Sequence, residues 1–171
     1  KSIDITVEKS KPLKGTIEIP ADKSITHRAF MFSALTKGKM LVSNYSRGAD
    51  CMSTLKIIQN LGCEVNFINE KQVLINATNA IKPSTAPLDC GNSGTTTRLM
   101  MGILSGQKFN SKLFGDISLS KRPMKRVIVP LEEMGAKFIH NDYKLPIEIE
   151  GADLHGITYN SPLASAQVKS C

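Results

Sequence analysis

The chain has 171 residues, of which 41% are hydrophobic and 22% charged, and this composition supports a packed core in one or two domains. Its formal net charge is +7, with basic residues spread along the sequence, which suits acidic partners such as phosphorylated or carboxylated metabolites. The apolar runs are too short for a membrane span, and the few aromatic residues form no stacking motif. Membrane insertion and nucleic-acid binding are therefore disfavoured.

The first eight residues and the four cysteines indicate the cellular compartment. The first eight residues alternate apolar and polar side chains and lack the apolar core of a secretory signal. The four cysteines form no CxxC pair, and no histidine lies near them at zinc-ligand spacing. We therefore expect reduced thiols, no metal site and a cytoplasmic protein.

Hydrophobic periodicity and turn residues predict the secondary structure. The predicted strands, in chain order, are 3–7, 16–19, 40–42, 63–68, 72–75, 88–90, 112–114, 136–139 and 146–149. The predicted helices are 22–35, a helix capped by Asp50 and ending at Leu61, a helix with its body at 99–104, and 122–134.

The order of these elements repeats within the chain. Arg28 matches Arg98 at an offset of 70, and the segment 61–65 matches 134–138 at an offset of 73. The matches predict two β-α-β-α-β-β units, at about 15–80 and 81–155. A third unit is predicted to start at 156, where 156–160 resembles 15–19, and to stop at 171 soon after entering a helix. We expect an α/β fold with two complete units and a truncated third, in an N-terminal portion of a longer protein.

The segment 89–98 is polar and glycine-spaced, and it leads directly into the apolar run 99–104. Gly91 and Gly94 allow a tight turn and close approach to a ligand, and Ser93 is a favourable helix cap. The start of a helix points free N–H groups and a positive dipole end outward, which favours an anion. An ordinary capped helix without a ligand explains these residues equally well.

Four motifs occur in a fixed order along the chain. They are Asp22–Arg28 (DKSITHR), Gly91–Arg98 (GNSGTTTR), Gly115–Met124 (GDISLSKRPM) and Ser165–Lys169 (SAQVK). Together they resemble the 5-enolpyruvylshikimate-3-phosphate synthase family over essentially the whole chain. The resemblance implies an inside-out α/β barrel fold of six repeated units in two domains. Residues 1–14 would then belong largely to the other domain, and 15–171 would form an incomplete N-terminal substrate-binding domain.

The same resemblance implies a reaction. The enolpyruvyl group of phosphoenolpyruvate would pass to the 5-hydroxyl of shikimate 3-phosphate by addition and elimination, with release of phosphate and no metal or organic cofactor. It also implies glyphosate as an inhibitor, and a cytoplasmic, monomeric full-length enzyme. The acid and base residues of the family lie outside the matched portion, so this chain alone is expected to be inactive.

Particular residues receive roles from the resemblance. Lys23 and Arg122 are expected to be catalytic, since both would neutralise charge on phosphoenolpyruvate. The residues expected to bind shikimate 3-phosphate are Lys23, Ser24, Arg28, Ser165, Ala166 and Gln167. Those expected to bind phosphoenolpyruvate are Lys23, Asn92, Gly94, Arg122 and Gln167. Ala166 replaces a second serine found in part of the family, so one hydroxyl contact is expected to be lost.

Simpler explanations exist for several of these positions. Lys23 could be a solvated lysine, Ser24 only a helix cap, and Pro123 only a first-turn proline before an ordinary helix. Thr95 and Arg98 are predicted to be structural, although the match of Arg98 to Arg28 leaves a ligand role open. The remaining basic residues considered are Lys121 and Arg126, expected to be solvated, His27, expected to be packed, and His140 and His155, expected to lie in turns.

Two other functions remain open. One is the related transferase that acts on UDP-N-acetylglucosamine, whose first motif resembles Lys-Asn-Ala where this chain has Lys23-Ser24-Ile25. That enzyme carries a reactive cysteine on a mobile loop, and Cys90 does not resemble that loop. The other is a non-catalytic phosphate-binding half-domain.

Overall fold

A computed structural model of the chain describes residues 4–162 and 164–171. The helices are α1 (Lys23–Leu35), α2 (Ala49–Asn60), α3 (Gly94–Ser105), α4 (Ile117–Ser120), α5 (Lys125–Glu133) and α6 (Ala166–Ser170). The strands are β1 (Lys39–Ser43), β2 (Glu64–Asn69), β3 (Gln72–Asn76), β4 (Leu88–Asp89), β5 (Ser111–Phe114), β6 (Lys137–Asn141) and β7 (Lys144–Glu150). This alternation confirms the α/β prediction. Within the described residues no helix is long and apolar enough to cross a membrane.

The two sheets share one arrangement of strands. The order is β1-β3-β2 in the first sheet and β5-β7-β6 in the second, with antiparallel neighbours throughout, and β4 extends the second sheet by pairing parallel to β5. Both hairpins shift register at matching positions, between Phe67 and Asn69 and between Ile139 and Asn141. Gly62 and Gly135, after α2 and α5, have φ angles of 99° and 101°, which glycine adopts without a Cβ penalty. This shared geometry agrees with the internal match in the sequence.

The strand predicted at 16–19 is wrong. Ile17 and Ile19 are 83% and 74% exposed, and 4–22 contains no strand. An alternating segment becomes a strand only when a neighbour completes its backbone hydrogen bonds. The segment 16–19 instead contacts the rest of the chain through a side chain, because Lys71 Nζ lies 2.6 Å from Glu18 Oε1. The strand predicted at 3–7 is likewise absent over 4–7, position 3 lies outside the described residues, and 156–160 forms no strand either.

Two helix starts differ from the predictions. Helix α2 begins at Ala49 with Gly48 at the N-cap, so Asp50 lies in the first turn, where its charge complements the helix dipole. The helix predicted from 122 begins at Lys125, so Pro123 precedes the helix and does not occupy its first turn. The short α4 was not predicted, and it forms because the Asp116 side chain accepts a hydrogen bond from the Leu119 N–H at 2.7 Å.

Buried apolar side chains form two clusters. The smaller cluster covers the three-stranded sheet and includes Phe30 and Ile58, whereas the larger surrounds α3 and includes Met31 and Ile57. Helices α1 and α2 therefore supply side chains to both clusters. Each fully buried side chain of this size stabilises the fold by about 1.5–3 kcal/mol, so these clusters hold the helix starts of the motifs in place.

Candidate functional site

The first turns of α1 and α3 are held by side-chain caps. Asp22 Oδ1 accepts a hydrogen bond from the Ile25 N–H at 2.7 Å, and Ser93 Oγ accepts one from the Thr96 N–H at 3.1 Å. Ser93 therefore caps α3 as predicted. The cap of α1 is Asp22, so the simpler explanation of Ser24 as a cap is wrong, and Ser24 lies exposed in the first turn.

A buried hydrogen-bond network joins the beginnings of α1, α2 and α3. His27 Nδ1 lies 2.7 Å from Thr54 Oγ1, and Thr54 Oγ1 lies 2.8 Å from Thr96 Oγ1. The Thr96 hydroxyl continues to Ser93 Oγ at 2.7 Å. His27 is completely buried, as expected for a packed residue, and desolvation lowers its pKa. His27 Nε2 has no hydrogen-bond partner among the described residues, but the three contacts of this network fix the first and second motifs relative to each other.

Lys23 is paired with a carboxylate on the neighbouring helix. Its Nζ lies 2.6 Å from Asp50 Oδ2, and the two side chains are 57% and 30% exposed. The hydrogen bond and charge of Asp50 raise the pKa of Lys23, which keeps the amine protonated. A pair this exposed contributes about 0–1 kcal/mol, so Lys23 can exchange Asp50 for an anionic ligand at little cost.

Arg28 joins the first motif to α6, at the residue after the fourth motif. Its Nη2 donates to Ser170 Oγ at 2.7 Å, and its Nη1 donates to the Ser24 carbonyl at 3.3 Å. The residues expected to bind shikimate 3-phosphate therefore lie on two adjacent helices, α1 and α6. Ser165 precedes α6 and makes no capping hydrogen bond with its side chain, and Ala166 supplies no hydroxyl.

Asn92 connects the second motif to the third. Its Nδ2 donates to Asp116 Oδ2 at 2.6 Å, and its Oδ1 accepts from Arg122 Nη2 at 2.8 Å. The hydrogen bond from Asn92, followed by that from the Leu119 N–H, lowers the pKa of Asp116. Asp116 is thus an anchor for Asn92, and Asn92 in turn orients the guanidinium of Arg122.

Arg98 also lies in this group, although the sequence predicted a structural role for it. Its side chain is only 7% exposed, and its Nη1 donates to Gln167 Oε1 at 3.0 Å. Gln167 Nε2 in turn lies 3.4 Å from Thr95 Oγ1. Desolvation, and then the charges of Arg126 and Arg122, lower the pKa of Arg98. The one signal in the sequence for a site role was its match to Arg28.

A cavity of about 670 Å³ opens between α3, α5 and the segment before α6. Its lining is largely apolar and also carries four basic side chains. Its lining includes Arg98, Arg122, Lys125, Arg126, Tyr159 and Val168. In the part of the chain that the structure describes, no ion pair involves any arginine, so the three arginines of this lining have no directly paired carboxylate.

Among the remaining candidates Arg126 lines the cavity, and the others have structural explanations or are chemically inert. His140 belongs to β6 and not to a turn, and its Nδ1 accepts a hydrogen bond from the Tyr143 N–H at 3.1 Å. Lys121 and Arg126 are exposed, as expected for solvated charges. All four cysteines are free thiols, and burial raises the pKa of Cys90 to about 12, so that thiol is unreactive at neutral pH.

Comparisons with known proteins all identify the same family. Residues 7–171 match the EPSP synthase (3-phosphoshikimate 1-carboxyvinyltransferase) family. A 3-phosphoshikimate 1-carboxyvinyltransferase from Vesicomyosocius okutanii is 48% identical over 167 residues, which are 96% of this chain and 38% of that protein. One from Thermodesulfovibrio yellowstonii is 46% identical over 169 residues, 96% of this chain and 39% of that protein.

The same similarity extends to three dimensions. A 2.37 Å structure of EPSP synthase from Acinetobacter baumannii superposes with a TM-score of 0.87 and 40% sequence identity. The match covers 91% of this chain and 36% of that one. The chain therefore spans somewhat less than two-fifths of the length of the relatives it resembles.

Proposed function

The chain belongs to the EPSP synthase family, and we propose that it supplies one half of a site for enolpyruvyl transfer from phosphoenolpyruvate to the 5-hydroxyl of shikimate 3-phosphate. The observation that supports this most directly is the meeting of side chains from the first three motifs with side chains of α6. Arg28 contacts Ser170, Arg122 contacts Asn92, and Arg98 contacts Gln167. Partners up to 142 positions apart in the chain are thereby brought into one group of cationic and amide side chains.

The two substrates receive overlapping sets of groups, which share Lys23 and Gln167. Arg28 and Ser24 on α1, with Ser165 before α6 and Gln167 within it, would hold shikimate 3-phosphate. The planar guanidinium of Arg28 suits a carboxylate or a phosphate. Asn92 and Gly94 would line the phosphoenolpyruvate side, where Arg122, oriented by Asn92, would hold the phosphate.

The chemistry follows from the charges. The 5-hydroxyl oxygen gives up its proton to a base and attacks C2 of phosphoenolpyruvate while C3 takes a proton, which gives a tetrahedral intermediate whose C3 is a methyl group. This intermediate then loses phosphate from C2 and a proton from C3, which restores the carbon–carbon double bond. Lys23 and Arg122 would neutralise the phosphate as it leaves, and a cation fixed in place before the reaction is worth more than one that must reorganise. Proton transfer to C3 requires an acid, and none of the proposed roles on this chain supplies one.

Binding tests the proposal. We expect isothermal titration of the chain with shikimate 3-phosphate to give weak, measurable binding, and Arg28→Gln to weaken it at least about tenfold, since a charge-assisted hydrogen bond is worth about 1.5–3 kcal/mol. Lys39→Gln on β1, an exposed position, is the charge-matched control and should bind normally. Equal affinity for the wild type and Arg28→Gln would contradict the assignment.

Turnover is the second test. We expect no phosphate release from phosphoenolpyruvate and shikimate 3-phosphate by this chain alone, and recovery when the C-terminal part of a family member is added. Turnover by the purified chain above background would show that the proton-transfer groups lie within it. Absence of both binding and recovery would favour a purely structural role.

Several broader properties belong to the same proposal. Residues 15–171 would form most of an N-terminal substrate-binding domain, and 1–14 would pair with the rest of a monomeric, cytoplasmic enzyme that glyphosate inhibits. The exposure of Ile5, Val7 and Leu13 supports this assignment of the first segment. The rival activity on UDP-N-acetylglucosamine gains no support, because a buried Cys90 with a pKa of about 12 is not an accessible reactive thiol.

A further inference from the structure

Arg98 is a buried cation whose hydrogen bonds the protein leaves incomplete. Only 7% of its surface is exposed, and its Nε has no hydrogen-bond partner among the described residues. Among the described residues its side-chain partner is the neutral Gln167. The charges that act on it are those of Arg122 and Arg126, which repel it. An uncompensated buried guanidinium is strongly unfavourable, so a position that keeps one calls for an anionic partner.

The guanidinium groups of Arg98 and Arg122 both lie close to Gly94, at the start of α3. A Cβ at Gly94 would lie 2.7 Å from Arg98 Nη1 and 3.8 Å from Arg122 Nη1. The absent side chain is therefore what lets both guanidiniums approach the first turn of α3. The same two side chains line the cavity between α3 and α5, which is large enough for a small metabolite.

We infer that Arg98 and Arg122 together bind one phosphate group. On binding, the Arg98 guanidinium would give up its hydrogen bond to Gln167 and donate two N–H groups to the phosphate. This inference rests on the proposed function and deepens it: Arg98 becomes a second ligand of the phosphate of phosphoenolpyruvate, a phosphate monoester. Arginine forks match phosphate oxygens in pairs, and a second positive charge lowers the cost of bringing a dianion into a cavity with a largely apolar lining. Gly94 then serves to seat Arg98 as well as to leave space for the ligand.

The test uses three probes on the whole chain: inorganic phosphate, phosphoenolpyruvate and pyruvate. We expect the first two to bind and to shift the Arg98 Nε–H resonance in a ¹H–¹⁵N spectrum, and pyruvate, which has a carboxylate but no phosphate, to bind at least about tenfold more weakly. Arg98→Gln should weaken binding of phosphate and phosphoenolpyruvate at least about tenfold. Lys39→Gln makes the same change of charge on β1, in the three-stranded sheet, and should change affinity less than twofold.

Two further measurements guard against a merely structural effect. Arg98→Lys keeps the charge but removes the fork, and it should bind phosphate with an affinity between those of the wild type and Arg98→Gln. The Nε–H shift is read on the wild-type chain and therefore needs no variant to fold. A structural role alone would lower the stability of the variants without any response of this resonance to phosphate.

The outcomes separate the inference from the proposed function. Normal binding by Arg98→Gln together with weak binding by Arg122→Gln overturns the inference and leaves the proposed function standing. Binding of inorganic phosphate at Arg98 without binding of phosphoenolpyruvate or shikimate 3-phosphate supports the anion site and contradicts the proposed function. Pyruvate binding as tightly as phosphate assigns the site to carboxylates and overturns the inference. Failure of every anion to bind overturns both.

Discussion

At residue 94, the absence of a side chain has a measurable consequence. Alanine there would place a Cβ 2.7 Å from Arg98 Nη1, the far end of a flexible side chain that must move away. We expect the Gly94→Ala change, made at the corresponding position of a full-length family member, to weaken glyphosate inhibition. The check is the inhibition constant against phosphoenolpyruvate. Gly106→Ala is the control, because its new Cβ would meet only Leu154 Cδ1 at an ordinary 3.8 Å, and equal inhibition of both variants would contradict the prediction.

Gly94 and Arg98 differ in how visible they were in the sequence. A glycine between polar residues at a helix start signals a close approach, so Gly94 was assigned to the site from its motif. Arg98 is one turn into an apolar helix, where the sequence pattern alone cannot tell an arginine that turns back toward the helix start from one that reaches solvent. That distinction depends on χ angles and on Gln167, which is 69 positions away.

His27 makes the stability of the chain depend on pH. Burial is the main cause that lowers its folded pKa below the usual value of about 6.5, with Lys23 and Arg28 acting in the same direction and Asp50 opposing them. The unfolded chain therefore binds the proton more readily. The contribution of neutral His27 to the free energy of unfolding should be fully present above pH 6.5. Below that pH the free energy of unfolding should fall, by at most about 1.4 kcal/mol per pH unit.

Urea unfolding followed by circular dichroism at pH 7.5 and pH 5.5 measures this dependence. His27→Gln lowers stability at both pH values by disturbing the network, but it should reduce the difference between them. His155→Gln, at an exposed position, should leave that difference as it is in the wild type. A pH dependence retained in full by His27→Gln would exclude His27 as its source.

At the scale of elements, the caps of α1 and α3 differ in what surrounds them. Asp22 is exposed and caps only the Ile25 N–H, so Asp22→Ala should cost about 1 kcal/mol. Ser93 is fully buried and serves both the N–H and the hydroxyl of Thr96, so Ser93→Ala should cost roughly 2–3 kcal/mol. Chemical denaturation of the two variants at pH 7.5 compares them. Equal losses, or a larger loss for Asp22→Ala, would mean that the buried network contributes nothing to the cap.

Some elements were predictable because their signals are local, and others were not. The hairpin strand predicted at 72–75 is found as Gln72–Asn76, since its alternating residues fall between two partners, β1 and β2. The segment 16–19 carries the same alternation, but no neighbour supplies the hydrogen bonds. Helix α4 was missed because one Asx cap at Asp116 creates it within a stretch that has the composition of a loop.

At the scale of the molecule, the resemblance of the motifs to one family was sufficient to predict the α/β class and the family itself. The contacts between motifs could not be predicted from the resemblance. The resemblance assigned both Asn92 and Arg122 to phosphoenolpyruvate without linking them, whereas the structure joins them through a single amide that also reaches Asp116. Such contacts depend on how helices pack over two sheets, and pattern periodicity does not contain that information.

The two core clusters share α1 and α2, and this sharing bears on how the chain denatures. Phe30 and Met31 are adjacent residues buried in different clusters, as are Ile57 and Ile58. Melting either sheet would strip apolar cover from the other, so partial unfolding has a high free energy. We expect one calorimetric peak whose van't Hoff and calorimetric enthalpies agree. Two resolved peaks would mean that the halves melt independently. Repeated units that share helices in this way gain all-or-none cooperativity, which a simple stack of repeats loses as it lengthens.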